Sequence, residues 1–255
     1  MTPMRLVDAL QLGRGDVVAF VGAGGKTAAL SRLTQELHEA GRHVIAATTT
    51  HLALEQNTLA PIHLVWPETG ATKVAAALCK HGCVLITGPA DHALGKWMGL
   101  SPAAIADLRG LADLVLVEAD GARRLPFKAP AEHEPAIPDC ATVVVVIVGL
   151  DVLGQPLDAA HVHRPERAAA LAGVALGETV TAEVIARVLS HPQGGRKNAP
   201  TGTRLVALLN KAESAERLAQ ARRLATLVLN NGVYSRVLIG SLASASSEWE
   251  VFPAG

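Results

Sequence analysis

Short runs of β-branched and other apolar residues recur along the chain, and most are apolar at every position rather than at alternate ones. Such runs suit strands buried on both faces, as in a parallel sheet covered by helices. They predict strands at residues 16–21, 43–47, 62–66, 83–87, 113–118, 142–148, 204–209 and 236–240. Between them, Ala- and Leu-rich stretches with helical spacing predict helices at 27–40, 72–80, 102–111, 165–172, 181–189 and 214–229. Strand–helix alternation points to an α/β fold with a mostly parallel sheet. Residues 191–203 (HPQGGRKNAPTGT) are rich in Gly, Pro and polar groups and read as a mobile loop. They do not mark a domain boundary, because the last two strands complete the same sheet. The expectation is one α/β domain over 1–255, with a small helical insertion at 151–200.

Composition narrows the function. The 255 residues are 49% hydrophobic and 18% charged, with 23 Lys and Arg against 23 Asp and Glu. That excludes a disordered chain. With no basic excess and 3% aromatic residues, general nucleic-acid binding is not expected. Three cysteines, Cys79, Cys83 and Cys140, make no disulfide framework and suit a reducing compartment. Residues 1–12 carry Arg5 and Asp8 and lack the apolar run of a secretory leader. The longest apolar run, 143–148, falls far short of the roughly 18–20 residues a membrane span needs. A cytoplasmic protein without a membrane partner is the expectation.

The strongest chemical signal is Gly22-Ala23-Gly24-Gly25-Lys26-Thr27, between an apolar strand and a helix. Glycines allow a tight bend that turns N–H groups toward an anion, and the helix start adds partial positive charge. Lys26 would reach the β- and γ-phosphates, and Thr27 would place a hydroxyl on Mg²⁺. The loop is a shortened form: Phe20 stands in the strand where the longer pattern has another glycine.

Further candidates sit at other predicted strand ends. Glu118 ends the strand at 113–118 and Asp120 lies just past it, where carboxylates would hold Mg²⁺ or orient water. Thr50 and His51 close the segment AATTTH at a sheet edge where open α/β sheets bind ligands. The Pro-rich segment 127–138 offers Lys128, Glu132, His133 and Glu134, with His133 a candidate proton carrier or metal ligand. The segment HVHRPE adds His163, Arg164 and Glu166, suited to an anion, a metal or the cap of the following helix. Asn210-Lys211-Ala212-Glu213 after a late strand is similar to the Asn-Lys-x-Asp that reads guanine in many GTPases, with Glu213 one methylene longer. Residues 240–244 (GSLAS) resemble the small-residue loop that accompanies it. Asn210 would equally serve as a helix cap.

Several of these segments together resemble one family. FVGAGGKT, TTTH, VEADGA, PFKAPAEHEPAIP, IVGLDVLGQPL and HVHRPE are similar to the YqeC family of selenium cofactor biosynthesis proteins, over about residues 5–245. The resemblance implies an accessory, nucleotide-binding role in maturing selenium-dependent molybdenum hydroxylases. Carried onto this chain, its motif positions are Gly22, Gly25, Lys26 and Thr27, with Thr50 and His51. They continue through Glu118, Asp120, Gly121, Lys128, Glu132, His133, Glu134, Asp151, His163, Arg164 and Glu166. Two wider resemblances compete. The loop with NKAE and GSLAS looks like metallochaperone GTPases, whereas the shortened loop with EAD looks like the central domain of Mur ligases.

The combined expectation is a P-loop NTPase-like three-layer sandwich that binds Mg²⁺ with ATP or GTP. Lys26, Glu118, Asp120 and His133 are its candidate catalytic groups, and Thr27, Glu118 and Asp120 its metal ligands. Residues 22–27 with Asn210, Lys211 and Glu213 would bind nucleotide. The remaining motif side chains would meet a substrate such as a molybdopterin-type cofactor, or the hydroxylase itself. One alternative is a module that grips a phosphate-bearing pterin without hydrolysis. Another is a Mur-ligase-like ligase or kinase.

Overall fold

The segment Val143–Gly149 is buried along its whole length, as a strand walled by neighbours on both sides and helices on both faces must be. In the computed structural model, which describes residues 4–243 and 248–255, it lies near the middle of a nine-stranded sheet. In chain order the strands are β1 (Val17–Gly22), β2 (Val44–Thr48), β3 (His63–Val65), β4 (Cys83–Thr87) and β5 (Leu114–Glu118). They continue as β6 (Val143–Gly149), β7 (Arg204–Asn210), β8 (Arg236–Ile239) and β9 (Glu250–Pro253). Their order across the sheet is β9-β8-β7-β6-β1-β5-β2-β4-β3. Every pairing is parallel except β8 with β9.

The helices are α1 (Leu6–Ala9), α2 (Lys26–Glu39), α3 (Gly70–His81), α4 (Pro102–Arg109), α5 (Pro165–Ala172), α6 (Ala182–Ser190) and α7 (Ala215–Leu229). Alternate residues of β1 divide between two cores. Val17, Ala19 and Val21 pack with residues of α3 to α7. Val18 and Phe20 pack with Leu6 and Leu10 on one side and Leu30 and Leu33 of α2. The result is the expected three-layer α/β sandwich, and each buried Val, Ile or Leu adds roughly 1.5–3 kcal/mol of transfer free energy.

Eight strands and six helices fall within a few residues of the positions predicted from periodicity. The differences lie in short elements. β9 closes one edge in antiparallel sense and carries Pro253 where a missing N–H costs least. Small pairings outside the main sheet also form: Leu52–Ala53, Ala90–Asp91 and Lys96–Trp97 make one, and Phe127–Lys128 with Val162–His163 make another. The loop at 191–203 packs against the body rather than projecting. The Lys197 ammonium donates to the carbonyls of Ala131 (2.6 Å) and Glu132 (2.7 Å), and the Asn198 amide donates to Pro135 O. Within the region expected as an insertion, Ala168, Ala172, Ile185 and Leu189 share one core with Leu224 and Val228 of α7.

Candidate functional site

The carboxyl ends of β1, β2, β5, β6 and β7 lie along one edge of the sheet, because all five run parallel. The first turn of the fold, residues 22–25, crosses this edge between β6 and β7. Gly24 (φ +84°) has no room for a side chain, since a Cβ would stand 2.2 Å from the Gly149 nitrogen at the end of β6. Gly25 (φ +144°) is equally confined by the Asn210 amide. Both glycines are thus fixed by conformation and by space. Helix α2 starts at Lys26, and its first helical hydrogen bond runs from Ala29 N to Gly25 O. The N–H groups of Lys26, Thr27 and Ala28 therefore have no acceptor within the helix and stand beside the bend, an arrangement suited to an anion.

This bend forms one wall of an open cleft of about 1180 Å³. Gly24, Gly25, Lys26, Thr27, Thr50, His51, Glu118, Gly121, Glu134, His163, Arg164, Asn210, Lys211 and Glu213 all contribute to its lining. Most of the residues singled out in the sequence are thus brought to one place from six separate stretches.

Glu118 is the last residue of β5, and its Oε2 accepts a hydrogen bond from the Thr27 hydroxyl at 3.0 Å. Burial pushes its carboxyl above the ordinary range, opposed in part by the Lys26 ammonium 3.9 Å away and by the Thr27 hydrogen bond. Two oxygen donors, one anionic, therefore meet at the cleft floor beside the phosphate-type loop. The hard, oxygen-seeking Mg²⁺ fits such a pair, with water and phosphate oxygens completing its shell.

Asp120 takes a different position from the one expected. The pleat ends at Glu118, so the two-residue repeat that would put both carboxylates on one side no longer applies. Asp120 turns beneath the loop and is 2% exposed. Its Oδ2 accepts from Gly22 N (3.1 Å) and pairs with Lys128 Nζ (2.9 Å), while Oδ1 faces Lys26 Nζ at 3.2 Å in ionic contact. It braces the loop from behind and does not line the cleft.

Asp120 belongs to a line of alternating charge. Glu118, Lys26, Asp120, Lys128, Glu134 and Arg164 follow one another at 3.9, 3.2, 2.9, 2.7 and 2.8 Å. Arg164 grips Glu134 with both terminal nitrogens. The parallel pairing of Phe127–Lys128 with Val162–His163 sets this alignment, placing His163 opposite Lys128. Burial would raise the Glu134 carboxyl, but hydrogen bonds from Lys128 and Arg164 override it and hold it down to about 2. His163 is lowered too, which for a base favours the uncharged form: burial, then the charges of Arg164, Lys128 and Arg123, bring it to about 4, so its imidazole is neutral at physiological pH.

At the opposite end, Asn210 is engaged within the protein. Its side-chain nitrogen donates to Gly24 O (2.7 Å), and its oxygen accepts from Leu242 N (2.9 Å). It clamps the bend to the loop after β8. Lys211 pairs with Asp151 (2.6 Å), and Glu213 accepts the Ser241 hydroxyl (3.0 Å). Of the segment read as GSLAS, Ser244 lies outside the described residues; Ser241 to Ala243 line the cleft.

Seven predicted site residues do not line the cleft, Gly22 and Asp120 among them. Glu132 and His133 are the exposed central pair of a turn closed by Glu134 N donating to Ala131 O. Glu166 is exposed on the first turn of α5. Ala23 is buried, its N–H donating to Ile147 O. Lys128 lies beneath the cleft within the charge line. The structure adds Lys96, Arg123, Arg124 and Arg217 to the cleft wall. The paired arginines after EADGA were the available sequence signal for two of these.

The family described as YqeC protein matches residues 18–166. A relative from Escherichia coli (strain K12), described as uncharacterized protein YqeC, is 33% identical over 228 residues, covering 84% of this chain and 83% of that one. Among solved structures, chloroplast FtsY from Physcomitrella patens has a TM-score of 0.45 at 14% identity over 96% of this chain. Cell division protein FtsY from Thermotoga maritima has a TM-score of 0.41 at 13% identity over 94% of this chain. This chain spans 64% and 65% of their respective lengths.

Proposed function

Since the chain belongs to the YqeC family and carries a phosphate-type loop suited to nucleotide, we propose that it binds ATP or GTP with Mg²⁺ and hydrolyses it. The hydrolysis would serve the maturation of a selenium-dependent molybdenum hydroxylase cofactor. The observation that carries this reading is the meeting of Lys26, Thr27 and Glu118 with the free amides of the bend, at the carboxyl edge of a parallel sheet.

In this reading the amides of residues 24–28 hold the phosphates. The Lys26 ammonium, now on Gly22 O (2.8 Å) and Asp120, moves toward the β- and γ-phosphates, a short shift of a flexible stem. Thr27 and Glu118 would hold Mg²⁺, which supplies positive charge where phosphoryl oxygens gain negative charge. Preorganised charge of this kind is the usual main source of rate in phosphoryl transfer. Asp120 acts as a positioning residue through Gly22 N–H and Lys26. Glu213 is the candidate for reading the base, after release of the Ser241 hydroxyl.

The experiment is nucleotide titration with and without Mg²⁺, followed by phosphate release. Lys26→Ala is expected to weaken triphosphate binding by about 10- to 10²-fold, as loss of a charge-assisted contact worth about 1.5–3 kcal/mol implies. Unchanged affinity sinks the assignment of the loop. Tight binding with no phosphate release replaces hydrolysis with the binding-module reading.

A further inference from the structure

We infer that Arg123 and Arg124 form an anion clamp for a second substrate, a small phosphate- or carboxylate-bearing molecule seated in the cleft beside the nucleotide. The inference rests on the phosphate loop holding the nucleotide, and it adds what the other wall of the same cleft does.

Both arginines occupy the centre of a four-residue turn closed by Leu125 N donating to Ala122 O at 3.0 Å. Their φ values are +50° and +62°. A turn with two positive central φ values is type I′, for which Asn-Gly is the cheap pair and two long side chains are a costly one. Backbone held in such a conformation without local benefit points to function. No local benefit is visible: both side chains are exposed, and neither makes an ion pair or hydrogen bond with another described residue.

The turn is firmly placed. The carbonyl of Pro126, just after it, accepts from Gly149 N at 2.8 Å and lies against Gly24 of the phosphate loop. Lys128 and His163 follow on the far side, and Arg123 is near enough to His163 to help keep its imidazole neutral. The arginines thus sit between the phosphate loop and the His163–Arg164 wall.

Charge and space agree with this. Seven Lys and Arg side chains line the cleft against four carboxylates. The carboxylates are already engaged: Glu134 by Lys128 and Arg164, Asp151 by Lys211, Glu213 by Ser241, and Glu118 by Thr27. None is left to neutralise the turn. The cleft, at about 1180 Å³, exceeds the roughly 300–1,000 Å³ of a site for one small molecule. Guanidinium groups suit planar or tetrahedral oxyanions, which they bind through paired N–H bonds.

The test uses the full-length protein saturated with Mg²⁺ and a non-hydrolysable nucleotide, with pyrophosphate and citrate as calorimetric probes. Wild-type protein is expected to bind at least one of them, and which one binds separates phosphate from carboxylate recognition. Replacing the pair with the cheap turn residues, Arg123→Asn with Arg124→Gly, is expected to weaken that binding by about tenfold or more. The same variant should keep nucleotide affinity within about twofold and melt no lower than wild type, since the turn itself is relieved. Unchanged probe binding, no probe binding by wild type, or an equal loss of nucleotide affinity each overturns the inference. In the last case the arginines belong to the nucleotide's own phosphates. If wild-type protein binds no nucleotide, the parent reading fails separately. Titration in a Lys26→Ala background then decides on the clamp alone.

Discussion

Replacing Glu134 by Gln removes the one negative charge between Lys128 and Arg164 while keeping the shape of the side chain. The Lys128 ammonium, 1% exposed, is then left with Asp120 as its carboxylate partner, and Arg164 loses a bidentate grip. The magnitude follows from the carboxyl's own titration. A fall from 4.5 to about 2 corresponds to roughly 3 kcal/mol of stability at neutral pH, near the lower end of the cost of breaking a buried pair. In a chain of this size that lowers the melting temperature by about 6–12 °C. The sign with pH is fixed as well. A depressed carboxyl stabilises the fold fully above the unfolded value of 4.5 and loses that contribution as pH falls toward 2. Urea unfolding of wild type and Glu134→Gln at pH 7 and pH 3 should show the difference shrink from roughly 3 to roughly 1 kcal/mol. An equal difference at both pH values, or none at pH 7, refutes the charge line as a source of stability.

Other consequences are as direct. Gly24→Ala puts a Cβ 2.2 Å from Gly149 N at positive φ, so both the bend and the end of β6 must shift; the melting temperature and nucleotide binding should fall together. Asn210→Ala leaves the buried Leu242 N–H and the Gly24 carbonyl without their partner, costing about 1–3 kcal/mol in chemical denaturation. For His163, an NMR titration should show the imidazole neutral until about pH 4. Because its folded value lies below the unfolded 6.5, this residue makes stability rise with pH between about 4 and 6.5. A midpoint near 6.5 in the folded protein refutes the burial argument.

The sequence by itself determined the parts whose signal is local. Uninterrupted apolar runs named eight strands of the parallel sheet, because strands buried on both faces can afford no polar alternation. The glycine bend at 22–25 was legible for the same reason, being contiguous residues between a strand and a helix. What tertiary structure alone decided were partnerships between distant segments. Asn210 is read in sequence as a base-reading or capping residue, yet it spends its amide on Gly24, 186 residues away. Asp120 and Glu118 look equivalent until the strand ends and one turns under the loop toward Lys128. His133 and Glu134 are neighbours in one polar loop, but a tight turn exposes the first while Arg164 captures the second. Periodicity reports which face of an element is buried and is silent on what lies against it. Those pairings are set by sheet order and by where each charge finds an opposite charge out of water.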